Sequence, residues 1–193
     1  MTIEVLRFER SPQILDVPEL GRLTLHCEWK EHRPLDVTVS AFGKETRVAD
    51  FASSFSGGKP GQRQPRRIPY IEYALGTPNC PFVVFAGIWN FVLVNFRDRS
   101  TDVFRFFREE NEDRGFWHVD VFPVKEGLVV LYESGVALID HAGKLAWHEK
   151  IIWNDKMFAR DDEELRFAGD IGQGTYKWSI RLRDGVTKGK PAL

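Results

Sequence analysis

Residues 126–149 decide the fold, and they read EGLVVLYESGVALIDHAGKLAWHE. Three short apolar runs, 128–132, 136–139 and 145–147, are separated by the polar turns 133–135 and 140–143, and each turn contains a glycine. Runs of this length, rich in Val, Leu, Ile and aromatic residues and divided by such turns, are typical of antiparallel strands joined in a meander. The stretch therefore predicts an all-β protein.

Strand-like alternation continues on both sides of this meander. Residues 22–30 alternate apolar and polar side chains, and residues 175–183 place Tyr176, Trp178, Ile180 and Leu182 opposite Lys177, Ser179, Arg181 and Arg183. One-sided alternation is typical of antiparallel sheets with one packed and one solvated face. We expect about 10–12 strands with a few short helical turns, for example at 11–15 and 155–164. The predicted architecture is one domain over 1–193, a meander-type sandwich or partly closed barrel.

One hairpin of the meander also resembles a known repeat. The segment VALIDHAGKLAW (136–147) is similar to the strand–turn–strand of one blade in β-propellers of the pyrroloquinoline-quinone-type or related repeat class. The resemblance covers about 25 residues and implies a blade-like meander at this place. A complete propeller needs at least four blades of four strands. The resemblance implies no cofactor and no activity for this chain.

Four tryptophans occur at a nearly regular spacing. Trp89, Trp117, Trp147 and Trp178 are 28, 30 and 31 residues apart, and each lies at or near the start of a strand-like run. A repeated supersecondary unit would give this spacing. Coincidence in a Trp-rich chain would give it too, because little else recurs with the same period.

Composition restricts the class of partner. The 193 residues are 42% hydrophobic and 28% charged with a formal net charge of −1, which is typical of a globular chain. Residues 1–96 carry eleven Lys/Arg and ten Asp/Glu, and residues 97–193 carry sixteen and eighteen. Because neither half is strongly basic, nucleic-acid binding through a broad basic face is disfavoured. We also expect no signal peptide and no membrane-spanning segment, and therefore a cytoplasmic protein.

The segment 53–69, SSFSGGKPGQRQPRRIP, interrupts the strand-like sequence with a long Gly/Pro-rich stretch. It is not a phosphate-binding loop, since Lys59 is followed by proline and no helix comes after it. Two interpretations stay open: a mobile basic arm that contacts an acidic partner or a nucleic-acid backbone, or a solvated loop. The basic residues of the arm are Lys59, Arg63, Arg66 and Arg67.

Catalytic and metal-binding signals are weak in this sequence. Two cysteines outside any CxxC pair exclude a cysteine-rich zinc site, and no motif predicts a metal or another cofactor. His118 and Asp120 are two residues apart on a predicted strand, so their side chains share a face and could form a His–carboxylate pair. The alternative is that both are solvated side chains on the polar face of that strand.

Aromatic residues are the more suggestive signal. Fifteen Phe, six Trp and four Tyr occur in the chain, and several crowd into 147–158 beyond the regular meander. Aromatic residues and methionine are enriched at protein interfaces, so we expect Trp153, Met157 and Phe158 to contact a partner. The leading hypothesis is a non-enzymatic interaction protein that binds another protein or its own copy. A β-barrel that encloses a small apolar ligand is the alternative, and a hydrolase-like enzyme using His118 and Asp120 is third.

Overall fold

The computed structural model describes residues 2–8, 10–30, 33–50, 70–87, 89–107, 119–152, 155–170 and 174–191. These residues contain seventeen β-strands and no helix. The chain divides into two compact units, Met1–Trp117 and His118–Leu193.

Nine strands occur in the described part of the first unit. They are β1 (Thr2–Arg7), β2 (Gln13–Val17), β3 (Gly21–Lys30), β4 (Arg33–Ala41), β5 (Lys44–Asp50), β6 (Tyr70–Leu75), β7 (Phe82–Ala86), β8 (Asn90–Asn95) and β9 (Ser100–Arg105).

The residues of the second unit that the structure describes form eight strands. They are β10 (Val119–Val124), β11 (Gly127–Tyr132), β12 (Gly135–Asp140), β13 (Leu145–Lys150), β14 (Lys156–Arg160), β15 (Glu164–Asp170), β16 (Thr175–Arg181) and β17 (Thr187–Lys188).

The first unit is a sandwich of two antiparallel sheets. One sheet has the order β2-β3-β4-β5, and the other has the order β1-β6-β7-β8-β9. Leu25 and Val39 from the first sheet share a core with Phe85 and Val92 from the second, and all four are fully buried. Each such side chain stabilises the fold by roughly 1.5–3 kcal/mol relative to an exposed one.

The second unit repeats this arrangement with two meanders. Its sheets have the orders β10-β11-β12-β13 and β14-β15-β16-β17. Val129 and Leu138 from the first sheet share a core with Phe167 and Ile180 from the second. Among the described residues, three sheets therefore consist of four strands that pair in chain order, and the fourth sheet has such a run, β6 to β9, with β1 added beside β6. Four strands in chain order is also the strand order of a propeller blade.

Both faces of the central strands are buried in two of the sheets. In β7 all five residues are buried, and in β12 only Asp140 is not. This explains why these strands read as continuous apolar runs, whereas β3 and β16, with one solvated face, alternate.

The predicted fold class is confirmed: the described chain is all-β and antiparallel, and 127–150 forms the expected meander as β11, β12 and β13. Three details of the structure differ from the prediction. The described residues contain seventeen strands, whereas ten to twelve were predicted. Residues 13–17 form β2 and not a helical turn, and residues 156–170 form a hairpin where a short turn was predicted. None of the sheets in these residues closes on itself, so the sandwich describes them and the barrel does not. The prediction of a single domain stays a prediction.

The regular tryptophan spacing does not mark equivalent positions. Trp147 lies on β13, the fourth strand of its meander, whereas Trp178 lies on β16, the third strand of the next. Trp89 precedes β8, and Trp117 lies outside the described residues. Within the described part of the chain, the repeated feature is the four-stranded meander rather than a tryptophan position.

The structure bears on membrane-spanning helices and on the two cysteines. In the part of the chain that the structure describes, no helix is long and apolar enough to cross a membrane. Cys27 and Cys80 are free and buried, and burial, followed by the charge of Asp36, raises the pKa of the Cys27 thiol to about 12. A thiol that stays protonated at neutral pH is a poor nucleophile and a poor metal ligand.

Candidate interaction surface

The edge strand β14 carries an exposed aromatic residue at an irregularity of its pairing with β15. Met157 pairs with Phe167 and Ala159 pairs with Arg166, so Phe158 is the extra residue of a β-bulge. Its side chain is 52% exposed, whereas Met157 is half-buried against the core of the second unit. Bulges redirect side chains at sheet edges, and here the bulge leaves a phenylalanine ring outside the core.

Phe158 belongs to the solvated face of the β14–β17 sheet, which we call the Phe158 face. The opposite face, with Leu165, Phe167 and Ile180, is buried in the core of the second unit. Cross-strand pairing and alternation place the remaining side chains on the Phe158 face. These are Lys156, Ala159, Glu164, Arg166, Ala168, Asp170, Thr175, Lys177, Ser179, Arg181 and Lys188.

The arginines of the Phe158 face are already paired with carboxylates. Arg166 lies 2.5 Å from Asp161 and 2.6 Å from Glu164, and Arg181 lies 2.8 Å from Asp184. The pKa of Asp161 is lowered by hydrogen bonds from the backbone of residues 163 and 164 and then by Arg166. The pKa of Glu164 is lowered by its hydrogen bond from Arg166 first. These carboxylates are therefore ionised and compensate the two guanidinium charges.

The lysines of the same face have no ion pair. Lys156, Lys177 and Lys188 are exposed, and none of them has an ion pair with any residue that the structure describes. Asp170 lies on the same face, two residues after Ala168. The Nζ atom of Lys177 lies 5.4 Å from the centroid of the Phe158 ring, which is a cation–π distance. The Phe158 face thus combines an exposed ring with exposed lysines that have no ion pair.

A buried carboxylate holds the start of β14 in place. Asp155 accepts a hydrogen bond at Oδ2 from Trp178 Nε1 at 2.7 Å and one at Oδ1 from the Tyr176 hydroxyl. Its backbone N–H donates to the carbonyl of Ile152 at 2.8 Å. Since both carboxylate oxygens have partners on β16, Asp155 fixes the position at which β14 joins the sheet.

The packing around Asp155 leaves no spare volume. A Cβ atom on Gly169 would lie 2.0 Å from Asp155 Oδ1 and 2.3 Å from the Tyr176 hydroxyl. Desolvation, followed by the hydrogen bond to Asp155 and its charge, raises the pKa of Tyr176 to about 12. Tyr176 therefore remains a hydrogen-bond donor throughout the neutral range, and this cluster has a structural role.

A second polar pair lies in the other sheet of the second unit. The Tyr132 hydroxyl is 2.6 Å from Nε2 of His148, and Tyr132 is 2% exposed. Burial lowers the pKa of His148 to about 4, so its imidazole is neutral at physiological pH. No group of three His, Cys, Asp or Glu residues suited to hold a metal ion occurs among the described residues.

Of the residues proposed for binding, the structure places Phe158 at the surface and Met157 against the core. Of the proposed catalytic pair, Asp120 is half-buried on β10, opposite Leu131 of β11. The others lie outside the described residues, and their roles stay predictions. These are Lys59, Arg63, Arg66, Arg67, His118 and Trp153.

Sequence reasoning placed Lys177 on a polar face but did not connect it with Phe158. The two residues are nineteen positions apart and meet only through the pairing of β14, β15 and β16. Asp155 was missed as well, because an isolated aspartate before a short strand gives no sign that it will be buried. The one usable signal was the placement of Tyr176 and Trp178 on the same face of a strand, where two buried polar groups need an acceptor.

Comparison of the chain with protein-family models, with curated proteins and with solved structures finds no match in any of the three.

Proposed function

We propose that this protein is a non-enzymatic interaction protein that binds a partner protein on the Phe158 face. The observation that carries the proposal is the exposed Phe158 ring at the β-bulge, beside small residues and an exposed lysine. Aromatic residues supply most of the binding free energy at many protein interfaces. Phe42 is also exposed and has Arg99 at 5.5 Å from its ring, but it is 36% exposed against 52% for Phe158, which makes Phe158 the more exposed of the two rings.

The rigid support of the ring favours binding further. Phe158 follows Asp155 by three residues, and Asp155 is hydrogen-bonded to Tyr176 and Trp178 on a central strand. An anchor on a fixed strand loses less conformational entropy on binding than one on a loop. The basic segment 53–69 stays part of the proposal as a second contact.

The barrel hypothesis has less support. A barrel for an apolar ligand needs a closed sheet, and the described sheets are open. The enzyme hypothesis stays a prediction, since Asp120 lies in the described residues and His118 lies outside them.

A capture experiment tests the proposal. The wild-type chain, Phe158→Ala and Val103→Ala are immobilised, exposed to extract of the source cells, and their retained proteins are quantified by mass spectrometry. Val103 is a matched control because it is 49% exposed on a strand of the first unit.

We expect Phe158→Ala to lose a specific protein that the wild type and Val103→Ala both retain. Truncation of an interface anchor costs about 2 kcal/mol, which is roughly thirtyfold in Kd. Circular dichroism checks that all three chains are folded. Equal retention by all three folded chains would contradict the proposal.

A further inference from the structure

We infer that the segment recognised by the Phe158 face is an acidic stretch of polypeptide that carries one apolar side chain; this rests on the proposed function above. The charge pattern of the face supplies the first argument. Its arginines are neutralised within the chain, whereas Lys156, Lys177 and Lys188 are exposed and have no ion pair with the described residues.

Strand register places the three lysines around a patch of small side chains on the sheet, which we call the floor. Lys156 pairs with Ala168, and Ala168 pairs with Lys177, so the two lysines flank Ala168 in one row across three strands. Neighbouring strands are about 4.8 Å apart, which puts the two lysine Cα atoms roughly 10 Å from each other. Lys188 pairs with Ser179 in the adjacent row.

The floor between the lysines is made of small side chains. Ala159, Ala168 and Ser179 project only a methyl or hydroxymethyl group from the sheet. A polypeptide can therefore approach the sheet closely, with its carboxylates near the lysines and an apolar side chain against the Phe158 ring. Desolvation by such a contact strengthens each lysine–carboxylate attraction.

Protection of the sheet edges does not account for all three charges. Lysines and bulges on edge strands prevent unwanted strand pairing, and Lys156 and Lys188 lie on the edge strands β14 and β17. Lys177, however, lies on the inner strand β16, next to the ring. Edge protection therefore does not apply to Lys177, which is exposed beside the ring and available to an anionic group of the partner.

An acidic polypeptide fits this face better than a nucleic acid does. Nucleic-acid surfaces use several aromatic platforms and free arginines, whereas Arg166 and Arg181 are occupied by carboxylates here.

Fluorescence anisotropy with a defined probe tests the inference. The probe is a short fluorescein-labelled peptide in which glutamates flank one leucine, and its counterpart has glutamine at every glutamate position. A labelled oligothymidylate of similar length is the third probe. The proteins are the full chain, Lys156→Gln/Lys177→Gln/Lys188→Gln, and the control Lys44→Gln/Lys125→Gln/Lys144→Gln, which removes the same charge from exposed sites elsewhere.

We expect the glutamate peptide to bind at least about tenfold more tightly than the glutamine peptide, with an affinity that falls as salt is added. The variant of the Phe158 face should lose this preference, and the control variant should keep it. Equal binding of both peptides, equal binding by the two triple variants, or tighter binding of the oligothymidylate would each overturn the inference. In any of those cases, a partner that is still lost on Phe158→Ala would leave the proposed function standing.

Discussion

At the scale of single residues, the Phe158 face depends on Asp155. Its two carboxylate oxygens accept hydrogen bonds from Tyr176 and Trp178, and Gly169 leaves room for the contact. Removing one member of a buried hydrogen-bonded group leaves its partner unsatisfied, which costs about 1–3 kcal/mol. The free-energy cost of a substitution at Asp155 depends on which hydrogen bonds the new side chain can still accept and donate.

Asp155→Ala should therefore lower the free energy of unfolding by about 2–3 kcal/mol, because Trp178 Nε1 would lose its acceptor inside the protein. Asp155→Asn keeps one acceptor oxygen and should cost about 1 kcal/mol. Urea denaturation followed by tryptophan fluorescence measures both, with the exposed Asp162→Ala as control. Equal stability of Asp155→Ala and Asp162→Ala would show that the buried carboxylate does not hold β14.

His148 gives the protein a pH dependence whose direction follows from its environment. Burial lowers its pKa from 6.5 to about 4, so between these values the unfolded chain binds a proton that the folded chain does not. The contribution of the neutral His148 imidazole to the free energy of unfolding is therefore complete above pH 6.5. It is lost as the pH falls toward 4 and does not change further below that. In urea denaturation at a series of pH values, His148→Gln should lose less stability across this window than the wild type. Parallel curves would contradict the assignment.

At the scale of elements, the hairpin of β4 and β5 shows why a turn needs glycine. Phe42 has a φ of 53° and Gly43 a φ of 80°, the left-handed conformation of a two-residue hairpin turn. A Cβ atom on Gly43 would meet nothing within 4 Å, so a substitution there adds backbone strain without a clash.

Gly43→Ala should accordingly destabilise the protein by about 1–2 kcal/mol through backbone strain alone. The neighbouring Lys44→Ala should change the free energy of unfolding by less than about 0.5 kcal/mol, as is usual for surface positions. Thermal and urea denaturation of both variants give the comparison. An unchanged Gly43→Ala would mean that the turn relaxes without cost.

Sequence predicted the elements whose faces are chemically distinct. β3 and β16 were found because their apolar residues strictly alternate, as with Leu23, Leu25 and Cys27. β5 was missed because KETRVAD is mostly polar, and β14 because the bulge at Phe158 breaks the alternation of KMFAR. A β-bulge breaks the apolar–polar alternation from which a strand is predicted. The pairing of strands joins residues that are distant in the sequence, so it cannot be predicted from neighbouring positions.

The candidate site was predictable only in part, for the same reason. Phe158 was predicted from the crowding of aromatic residues near it, since that is a property of neighbouring positions. The approach of Lys177 to its ring, and of Lys156 to Lys177 across Ala168, depends on the register of three strands. Such a register is set by the folded core, so the positive charge around the ring was not predictable from the sequence.

At the scale of the whole molecule, the chain has a formal net charge of −1, and its positive charge on the Phe158 face is local. Charge of this kind orients a partner over about 8 Å at physiological salt, and apolar contact at the ring then holds it. Association should therefore weaken with added salt without being abolished, as pull-down yields across a salt series would measure. A partner yield that does not change with salt would show that the lysines do not contribute to binding.

The most direct test of the central claim is site-specific photocrosslinking at position 158. A photoreactive phenylalanine analogue replaces Phe158 in one chain and Val103 in another, and both are irradiated in extract of the source cells. The account predicts a specific protein crosslinked from position 158 and absent from position 103. Crosslinking of the same proteins from both positions, or of none from position 158 in the folded chain, would contradict it.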